Sequence, residues 1–171
     1  MQEVTYFGKM KVHLRFISAQ EYEALGSPVA TTSHCFPMRG DEVLFTVNPR
    51  GLDIIGGHID PGENGEQALL REAMEEACIV PRKYHLVGAI EVDNKESKEM
   101  AQAKGYPLIG YQLIYAVTEY DELEFNATHE CVARQYVKSD DVAKIHHNWL
   151  KSHQAALEEA KKTTHVKRPK P

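Results

Sequence analysis

The sequence predicts a single domain of the α/β (α+β) class, on the basis of three observations. Val12 to Phe16 and several other segments alternate apolar and polar residues with the period of a half-buried strand. Residues 65–79 and 139–157 instead repeat apolar residues at helical spacing. The chain has 171 residues, 42% of them hydrophobic, which is enough for one globular core. We therefore expect one domain, covering residues 1–160, in which helices pack on a sheet.

The N-terminal region is expected to consist of strands and turns. Val29 to Phe36 and Glu42 to Val47 read as strands, and Pro37 to Asp41 between them has the composition of a hairpin turn. A further short strand, Leu52 to Ile55, leads into a pair of glycines. A helix is expected to begin near Gly65, soon after that glycine pair.

This central helix has an acidic face. Glu72, Glu75 and Glu76 lie at i, i+3 and i+4, so a helix places their side chains together. The apolar stripe expected on the opposite face consists of Leu70, Ala73, Met74 and Ala77. Like charges at this spacing destabilise a helix by a few tenths of a kcal/mol per pair unless a cation neutralises them. Oxygen ligands suit hard divalent ions such as Mg²⁺, Ca²⁺ or Mn²⁺. For this fragment alone, an ordinary solvated helix face is the alternative.

The C-terminal half is predicted to contribute two strands and a long helix. His85 to Val92 and Leu108 to Thr118 have strand character, and Asn94 to Lys104 between them is a polar loop or short helix at an edge of the site. Ser139 is a favourable N-cap for one helix that continues at least to Leu157.

Residues 161–171 carry five Lys or Arg residues and two prolines, which predicts a basic, frayed tail.

Charge and cysteine content exclude several classes of protein. A formal net charge of −5 argues against a protein that coats nucleic acid, so no nucleic-acid partner is expected. No apolar run is long enough to cross a membrane, so no membrane association is expected. Cys35, Cys78 and Cys131 show neither C-x-x-C nor zinc spacing. This pattern favours a reducing, cytoplasmic location.

The residues around the acidic helix resemble a known motif. The segment from Gly57 to Ile79 is similar to the Nudix box, G-x5-E-x7-R-E-U-x-E-E-x-G-U, in which U is an apolar residue. The fixed glutamates and the arginine of the motif are all present: Glu63, Arg71, Glu72, Glu75 and Glu76. The one departure is Cys78, where the family has a glycine that ends the helix in a left-handed conformation. Either the helix ends by another route here, or the strain is tolerated.

The resemblance implies a Nudix-like α/β/α sandwich with a mixed central sheet. It also implies a metal-dependent hydrolase that cleaves the diphosphate linkage of a nucleoside diphosphate linked to another moiety, with Mg²⁺ or Mn²⁺ as cofactor. The metal ligands it implies are the carbonyl of Gly56 and the carboxylates of Glu72, Glu75, Glu76 and Glu130. Glu130 is included because it lies six residues before the pair Tyr136-Val137, close to the family register.

The same resemblance assigns the remaining roles. The implied catalytic set is Glu72, Glu76, Glu130 and Arg71, with Glu72 and Glu130 as the leading candidates for the general base. Glu119, Glu122 and His129 compete with Glu130 for its role. Arg71 and Glu63 are expected to form an ion pair that supports the loop, and Gly57 also supports the site.

The substrate class is less closely defined by the resemblance. A nucleoside triphosphate or similar small nucleotide is the expected substrate. A homodimer is compatible with the family. Two other functions remain open: a Nudix-fold module that binds a nucleotide without cleaving it, and a calcium- or partner-binding domain.

Overall fold

The fold is built on a nine-stranded sheet. The computed structural model describes residues 2–126 and 129–164. Its strands are β1 (Glu3–Phe7), β2 (Met10–Ser18), β3 (Ala30–Arg39), β4 (Glu42–Asn48), β5 (Gly51–Asp53), β6 (Ile55–His58), β7 (Ile79–Asp93), β8 (Ile109–Glu122) and β9 (Ala133–Lys138). Its helices are α1 (Ala19–Glu23), α2 (Gly65–Ala77), α3 (Lys98–Ala103), α4 (Val142–Ile145) and α5 (Lys151–Thr164), with 3₁₀ turns at Lys95–Ser97 and Ser139–Asp141.

The sheet is mixed, as predicted. Its strand order is β1-β2-β7-β8-β3-β4-β5, with β6 paired to β3 and β9 paired to β4. Strands β3 and β8 run parallel, while β3 pairs antiparallel with both β6 and β4. Strand β3 changes partner along its length: residues 32–35 pair with β6, and Met38 and Arg39 pair with β4. The sheet therefore divides along β3, between β4 and β6, and β6 is the strand that carries the glycine pair.

Helices cover both faces of the sheet, which confirms the predicted sandwich. On one face, α2 buries Leu69, Ala73 and Ala77 in a cluster with residues of β3, β4 and β8. On the other face, Ala156 and Leu157 of α5 belong to a second buried cluster. No helix within residues 2–126 and 129–164 is long and apolar enough to span a membrane.

The buried stripe of α2 differs from the predicted one. Ala73 and Ala77 are buried as expected, but Leu70 and Met74 are 38% and 40% exposed, and Leu69 is buried instead. The small side chains of Ala73 and Ala77 let the helix lie close to the sheet. The larger Leu70 and Met74, each about 100° further round the helix than Leu69 and Ala73, are left outside.

The prediction of one long C-terminal helix is wrong. Helix α4 ends at Ile145, and a new helix begins only at Lys151. The carboxylate of Glu3 accepts hydrogen bonds from the backbone N–H groups of Lys151 and Ser152, at 3.0 and 2.7 Å, and so satisfies the free donors at the start of α5. Ser139 is the first residue of a 3₁₀ turn whose N-cap is Lys138, and that turn has no side-chain capping bond. Helix α5 continues through Lys161 to Thr164, so the start of the predicted frayed tail is helical, while residues 165–171 lie outside the described residues.

Several strand boundaries also differ from the prediction. Strand β7 begins at Ile79 rather than at His85, and it includes Pro81. Strand β3 includes Pro37, which the sequence predicts to lie in the turn. The predicted strand Leu52 to Ile55 is divided between β5 and β6. Asn94 to Lys104 forms a 3₁₀ turn and the short helix α3, one of the two predicted alternatives.

The end of α2 settles the question raised by Cys78. This residue has φ 53° and ψ 44°, so the helix ends in the left-handed conformation that the family's glycine would adopt, and the strain is tolerated. Two interactions hold the conformation in place. The guanidinium of Arg134 donates to the carbonyl oxygens of Ala77 and Cys78 at 2.8 and 3.2 Å. The backbone N–H of Asn126 lies 3.4 Å from the buried Sγ.

We predict that Cys78→Gly is more stable than Cys78→Ala by about 1 kcal/mol. Both variants remove Sγ, but only glycine adopts a positive φ without steric strain. Chemical denaturation of the two variants measures the difference in free energy of unfolding. Equal stability would show that the backbone at this position is not strained.

Candidate active site

The two glycines of β6 make room for the acidic helix. A Cβ on Gly56, which has φ +146°, would lie 2.3 Å from the carbonyl oxygen of Ser33. A Cβ on Gly57 would lie 2.5 Å from Oε1 of Glu72. Real Cβ atoms do not approach other atoms so closely. Glycine is therefore required at Gly56, where a Cβ would meet backbone, whereas a Cβ on Gly57 would displace the carboxylate of Glu72.

The start of α2 is fixed by a capping box. The side chain of Asn64 accepts from the N–H of Gln67, and the side chain of Gln67 accepts from the N–H of Asn64, both at 2.8 Å. The hydroxyl of Ser33 also donates to the carbonyl oxygen of Gly65 at 2.8 Å, which ties the helix to β3. The spacing Asn64-x-x-Gln67 is visible in the sequence and indicates the same helix start near Gly65 that the sequence predicts.

Arg71 is the central counter-ion of the site. Its Nε and Nη2 donate to the two carboxylate oxygens of Glu63 at 3.1 and 2.6 Å, which is the ion pair expected from the sequence. Its Nη1 donates to Glu72 at 2.9 Å and to Glu75 at 3.2 Å. Its Nη2 also donates to the carbonyl oxygen of His58 at 2.9 Å. Arg71 therefore links the loop to the acidic face of α2.

The hydrogen bonds between Arg71 and Glu63 shift both pKa values. They raise the pKa of the guanidinium further above its usual range and lower the pKa of Glu63. Both groups are therefore charged at neutral pH, and the pair remains intact there.

Glu76 is the carboxylate of α2 whose pKa is raised. Its Oε2 accepts from the N–H of Gly56 at 3.0 Å. Burial, and after it the charges of Glu72, Asp53 and Glu75, raise the pKa of Glu76 to about 7 against that hydrogen bond. Ionisation of a carboxylate in these surroundings costs free energy unless a cation is near.

The donor set fits a hard divalent cation. Glu72 and Glu76 lie against the glycine turn, and Glu75 is joined to Glu72 through Arg71. Oxygen ligands are what Mg²⁺ and Mn²⁺ prefer. In the described part of the chain, no three acidic, histidine or cysteine side chains already stand at metal-binding geometry. Arg71 instead bridges Glu72 and Glu75, as the counter-ion at the position where a metal ion would bind.

Glu130 lies apart from the helix carboxylates. Its side chain is 76% exposed and pairs with Arg50 at 3.8 Å. The adjacent Cys131 is buried, and the negative charge of Glu76 contributes to raising the pKa of its thiol, after burial. Glu130 is thus attached to a segment near Glu76, although its own carboxylate points to an arginine.

Of the residues that compete with Glu130, Glu122 accepts a hydrogen bond from the hydroxyl of Tyr136.

Asp53 is an acidic residue of the site that the sequence did not single out. Its negative charge helps to raise the pKa of Glu76. Its carboxylate accepts from Nδ2 of Asn48 and from the N–H of Ile54, both at 3.0 Å, at the junction of β5 and β6. An isolated aspartate next to a short apolar strand carries no recognisable signal, because only the pairing of strands brings it near α2.

The comparisons with known proteins identify the family of this chain. A family model described as the NUDIX domain matches residues 30–162. The chain therefore belongs to the Nudix family, as its sequence predicted. The NAD-capped RNA hydrolase NudC of Pseudomonas entomophila is 40% identical over 55 residues, which cover 30% of this chain. The match spans only about a fifth, 20%, of the length of that relative.

Solved structures share the fold at low sequence identity. The pyrophosphohydrolase BsRppH of Bacillus subtilis aligns with TM-score 0.65 and 18% identity, over 98% of this chain and 99% of that one. The MutT NUDIX hydrolase of Burkholderia pseudomallei aligns with TM-score 0.57 and 17% identity, over 78% and 98%. The NUDIX domain of Shewanella oneidensis NrtR, complexed with ADP ribose, aligns with TM-score 0.58 and 15% identity, over 86% and 99%.

We predict that Glu63→Gln lowers the melting temperature because it removes the charged partner of Arg71. The folded-state pKa of Glu63 lies below its ordinary value of 4.5. The stabilisation is therefore fully present above that value and is lost as the pH falls through the folded-state pKa. Melting curves from pH 7 down to pH 3 measure this.

The matched control is Glu124→Gln, which removes one charge from an exposed side chain. A pH-independent difference between Glu63→Gln and wild type would contradict the prediction.

Proposed function

We propose that this protein is a pyrophosphohydrolase that cleaves the diphosphate linkage of small nucleotides, with a nucleoside triphosphate or similar compound as substrate. The observation that carries the proposal is the position of Glu72 and Glu76 of α2 against the glycine turn, with Glu75 joined to Glu72 through Arg71. A site that concentrates negative charge in this way is suited to a cation and, through it, to an anionic substrate.

The proposed cofactor is Mg²⁺ or Mn²⁺, held by Glu72, Glu75 and Glu76 with the carbonyl of Gly56, and joined by Glu130. When bound, such an ion neutralises phosphate oxygens and lowers the pKa of a coordinated water. Hydrolysis adds water across the P–O–P bridge and gives two phosphate-bearing products, so a carboxylate must accept one proton. We assign that role to Glu72 or Glu130, within a catalytic set completed by Glu76 and Arg71.

The supporting residues have a separate task. Glu63 and Arg71 hold the loop against α2, and Gly57 leaves space for the carboxylate of Glu72. These groups position the ligands, so substitutions there are expected to act through site geometry.

The alternative proposal is a nucleotide-binding module without hydrolytic activity. The NUDIX domain of NrtR, which was crystallised with ADP ribose, shares this fold. The presence of all the box carboxylates in this chain favours the enzyme. A cytoplasmic location and a homodimer stay predictions from the sequence.

We predict that Glu76→Gln lowers kcat by about 10²-fold or more, because it removes a charged ligand of the proposed ion. Release of phosphate or nucleoside monophosphate is measured over a panel of nucleoside triphosphates, ADP-sugars and dinucleoside polyphosphates.

The control is Met74→Ala, an exposed position of the same helix. Equal turnover by wild type and Glu76→Gln would overturn the site assignment. A wild-type protein inert on the whole panel would favour the binding module.

We also predict that chelation of divalent ions with EDTA abolishes turnover and that added Mg²⁺ or Mn²⁺ restores it. Isothermal titration of the metal-free protein with Mn²⁺ provides a second readout, in which Glu76→Gln binds the ion more weakly than Met74→Ala. Full activity in excess EDTA would exclude a metal-dependent mechanism.

A further inference from the structure

The connection from α4 to α5, residues 146–150, covers a cavity that is rich in histidine. The volume of this cavity is about 250 Å³. Its polar lining outside the connection comes from three strands and α5: His34, Asp53, Gln112 and His153. The connection itself contributes His146, His147, Asn148 and Leu150. Four imidazoles therefore surround one small space, together with the carboxylate of Asp53.

Two of these imidazoles hold the backbone of the connection. Nδ1 of His146 accepts a hydrogen bond from the N–H of Asn148 at 3.1 Å. Nδ1 of His153 accepts a hydrogen bond from the N–H of Leu150 at 3.4 Å. A ring nitrogen accepts a hydrogen bond only when it carries no proton, so each ring is neutral with its proton on Nε2. The position of the connection therefore depends on two uncharged histidines.

Protonation of either ring removes its bond to the backbone. In an imidazolium ion both nitrogens are donors, so a protonated Nδ1 faces the backbone N–H as a second donor. His146 has a further constraint, because its Nε2 is buried and has no hydrogen-bond partner among the described residues. A charged ring at this position thus lacks acceptors for both of its N–H groups, and it gains them only by moving into water.

Burial lowers the pKa of both histidines. The pKa of His153 falls from 6.5 to about 4, first through burial and then through the charges of His34 and His146. Burial and then the charge of His147 lower the pKa of His146. The rings of His146 and His147 are stacked with their centroids 4.9 Å apart, so protonation of both would bring two positive charges together.

Two carboxylates act in the opposite direction without reversing the shift. Asp53 of β5 raises the pKa of His146 and of His153, and Glu3 of β1 raises that of His153. The carboxylate of Glu3 is already engaged by the first N–H groups of α5. A folded-state pKa below the ordinary 6.5 means that a more open form binds protons more tightly. The closed connection is therefore stable above pH 6.5 and loses stability as the pH falls towards 4.

We propose that residues 146–150 form an acid-sensitive switch, which is closed over the cavity while His146 and His153 are neutral and opens when they bind protons. The proposal is independent of the proposed function, because the conformational change needs neither a metal nor a substrate. His34, which pairs with Gly56 in the sheet, and Asp53 line the same cavity. The open form therefore admits water beside the glycine turn, and acid alters the surroundings of the candidate active site.

Trp149 reports on the switch directly. It is the single tryptophan of the chain, and its ring centroid lies 5.3 Å from that of His146 and 5.4 Å from that of His153. Tryptophan emission is recorded from pH 8 to pH 4, together with far-ultraviolet circular dichroism. We expect the emission maximum of wild type to move reversibly to longer wavelength between pH 6.5 and pH 4, as the indole passes into water, while the helix signal stays constant.

The decisive variant combines His146→Asn and His153→Asn. The side-chain oxygen of asparagine can accept the same backbone N–H groups as Nδ1, but it does not bind a proton in this pH range. We expect no shift of emission in the double variant. Each single variant should take up about one proton in the transition, where wild type takes up about two. The control is His85→Asn, which removes a half-buried histidine that does not line the cavity and should keep the transition.

Three results would overturn the inference. They are constant emission of wild type down to pH 4, the same shift in the double variant, and a shift that coincides with loss of the helix signal. The last result would mean that the whole domain unfolds. If the double variant does not fold at pH 8, the single variants decide, because an unchanged number of protons in both contradicts the switch.

Discussion

The site depends on the compensation of negative charge at one end of α2. Burial, together with the negative charges of Glu72, Glu75 and Asp53, raises the pKa of Glu76 to about 7. Arg71 compensates part of this charge through short bonds to Glu63, Glu72 and Glu75. Bonds between charged groups are stronger than neutral ones, so one guanidinium can hold both the loop and the helix face. The glycine turn, the helix and the loop thereby form one unit.

Much of this unit could be predicted from the sequence, because its interactions are local. The box from Gly57 to Ile79 contains the turn, the helix and the Arg71–Glu63 pair within 23 residues. Helical geometry alone places the three glutamates together. The requirement for glycine at Gly56 has a steric reason in the structure, since a Cβ there would lie 2.3 Å from the carbonyl oxygen of Ser33, and a Cβ on Gly57 would displace the carboxylate of Glu72.

The features that the sequence did not predict depend on distant contacts. Helix α5 begins at Lys151 because Glu3, at the other end of the chain, satisfies its first N–H groups. Leu70 and Met74 are exposed because close packing of α2 on the sheet selects Leu69 and the alanines. In both cases apolar residues do repeat at helical spacing. Which of them are buried, and where the helix is interrupted, depends on tertiary packing.

The role of Glu130 stays a prediction. Its position before the last strand suggests a ligand, and its carboxylate is mostly exposed and pairs with Arg50 at 3.8 Å. The register of a motif fixes the position of a residue in the chain. The direction of its side chain depends on which charges surround it.

Cys78 shows how the position of the site depends on the rest of the fold. The left-handed turn at this residue lets the chain pass from α2 into β7 without a loop, and the cost of the turn is offset by bonds from Arg134 to the last helix carbonyls. Strand β7 then pairs along its whole length with β8, whose neighbour β3 pairs with β6. The acidic face of α2 and the glycine turn are therefore connected through the sheet as well as through Arg71.

This double connection explains why the helix carboxylates and β6 have a fixed relation to each other. Arg71 uses Nη1 for Glu72 and Glu75, and it uses Nη2 for Glu63 and for the carbonyl oxygen of His58. The two sets of bonds come from different nitrogens. Neutralisation of Glu72 and Glu75 by a cation would therefore compete with the Nη1 bonds and leave the Nη2 bonds to His58 and Glu63 intact. Glu72 and Glu75 can thus bind an ion while Arg71 still holds Glu63 and the end of β6 in place.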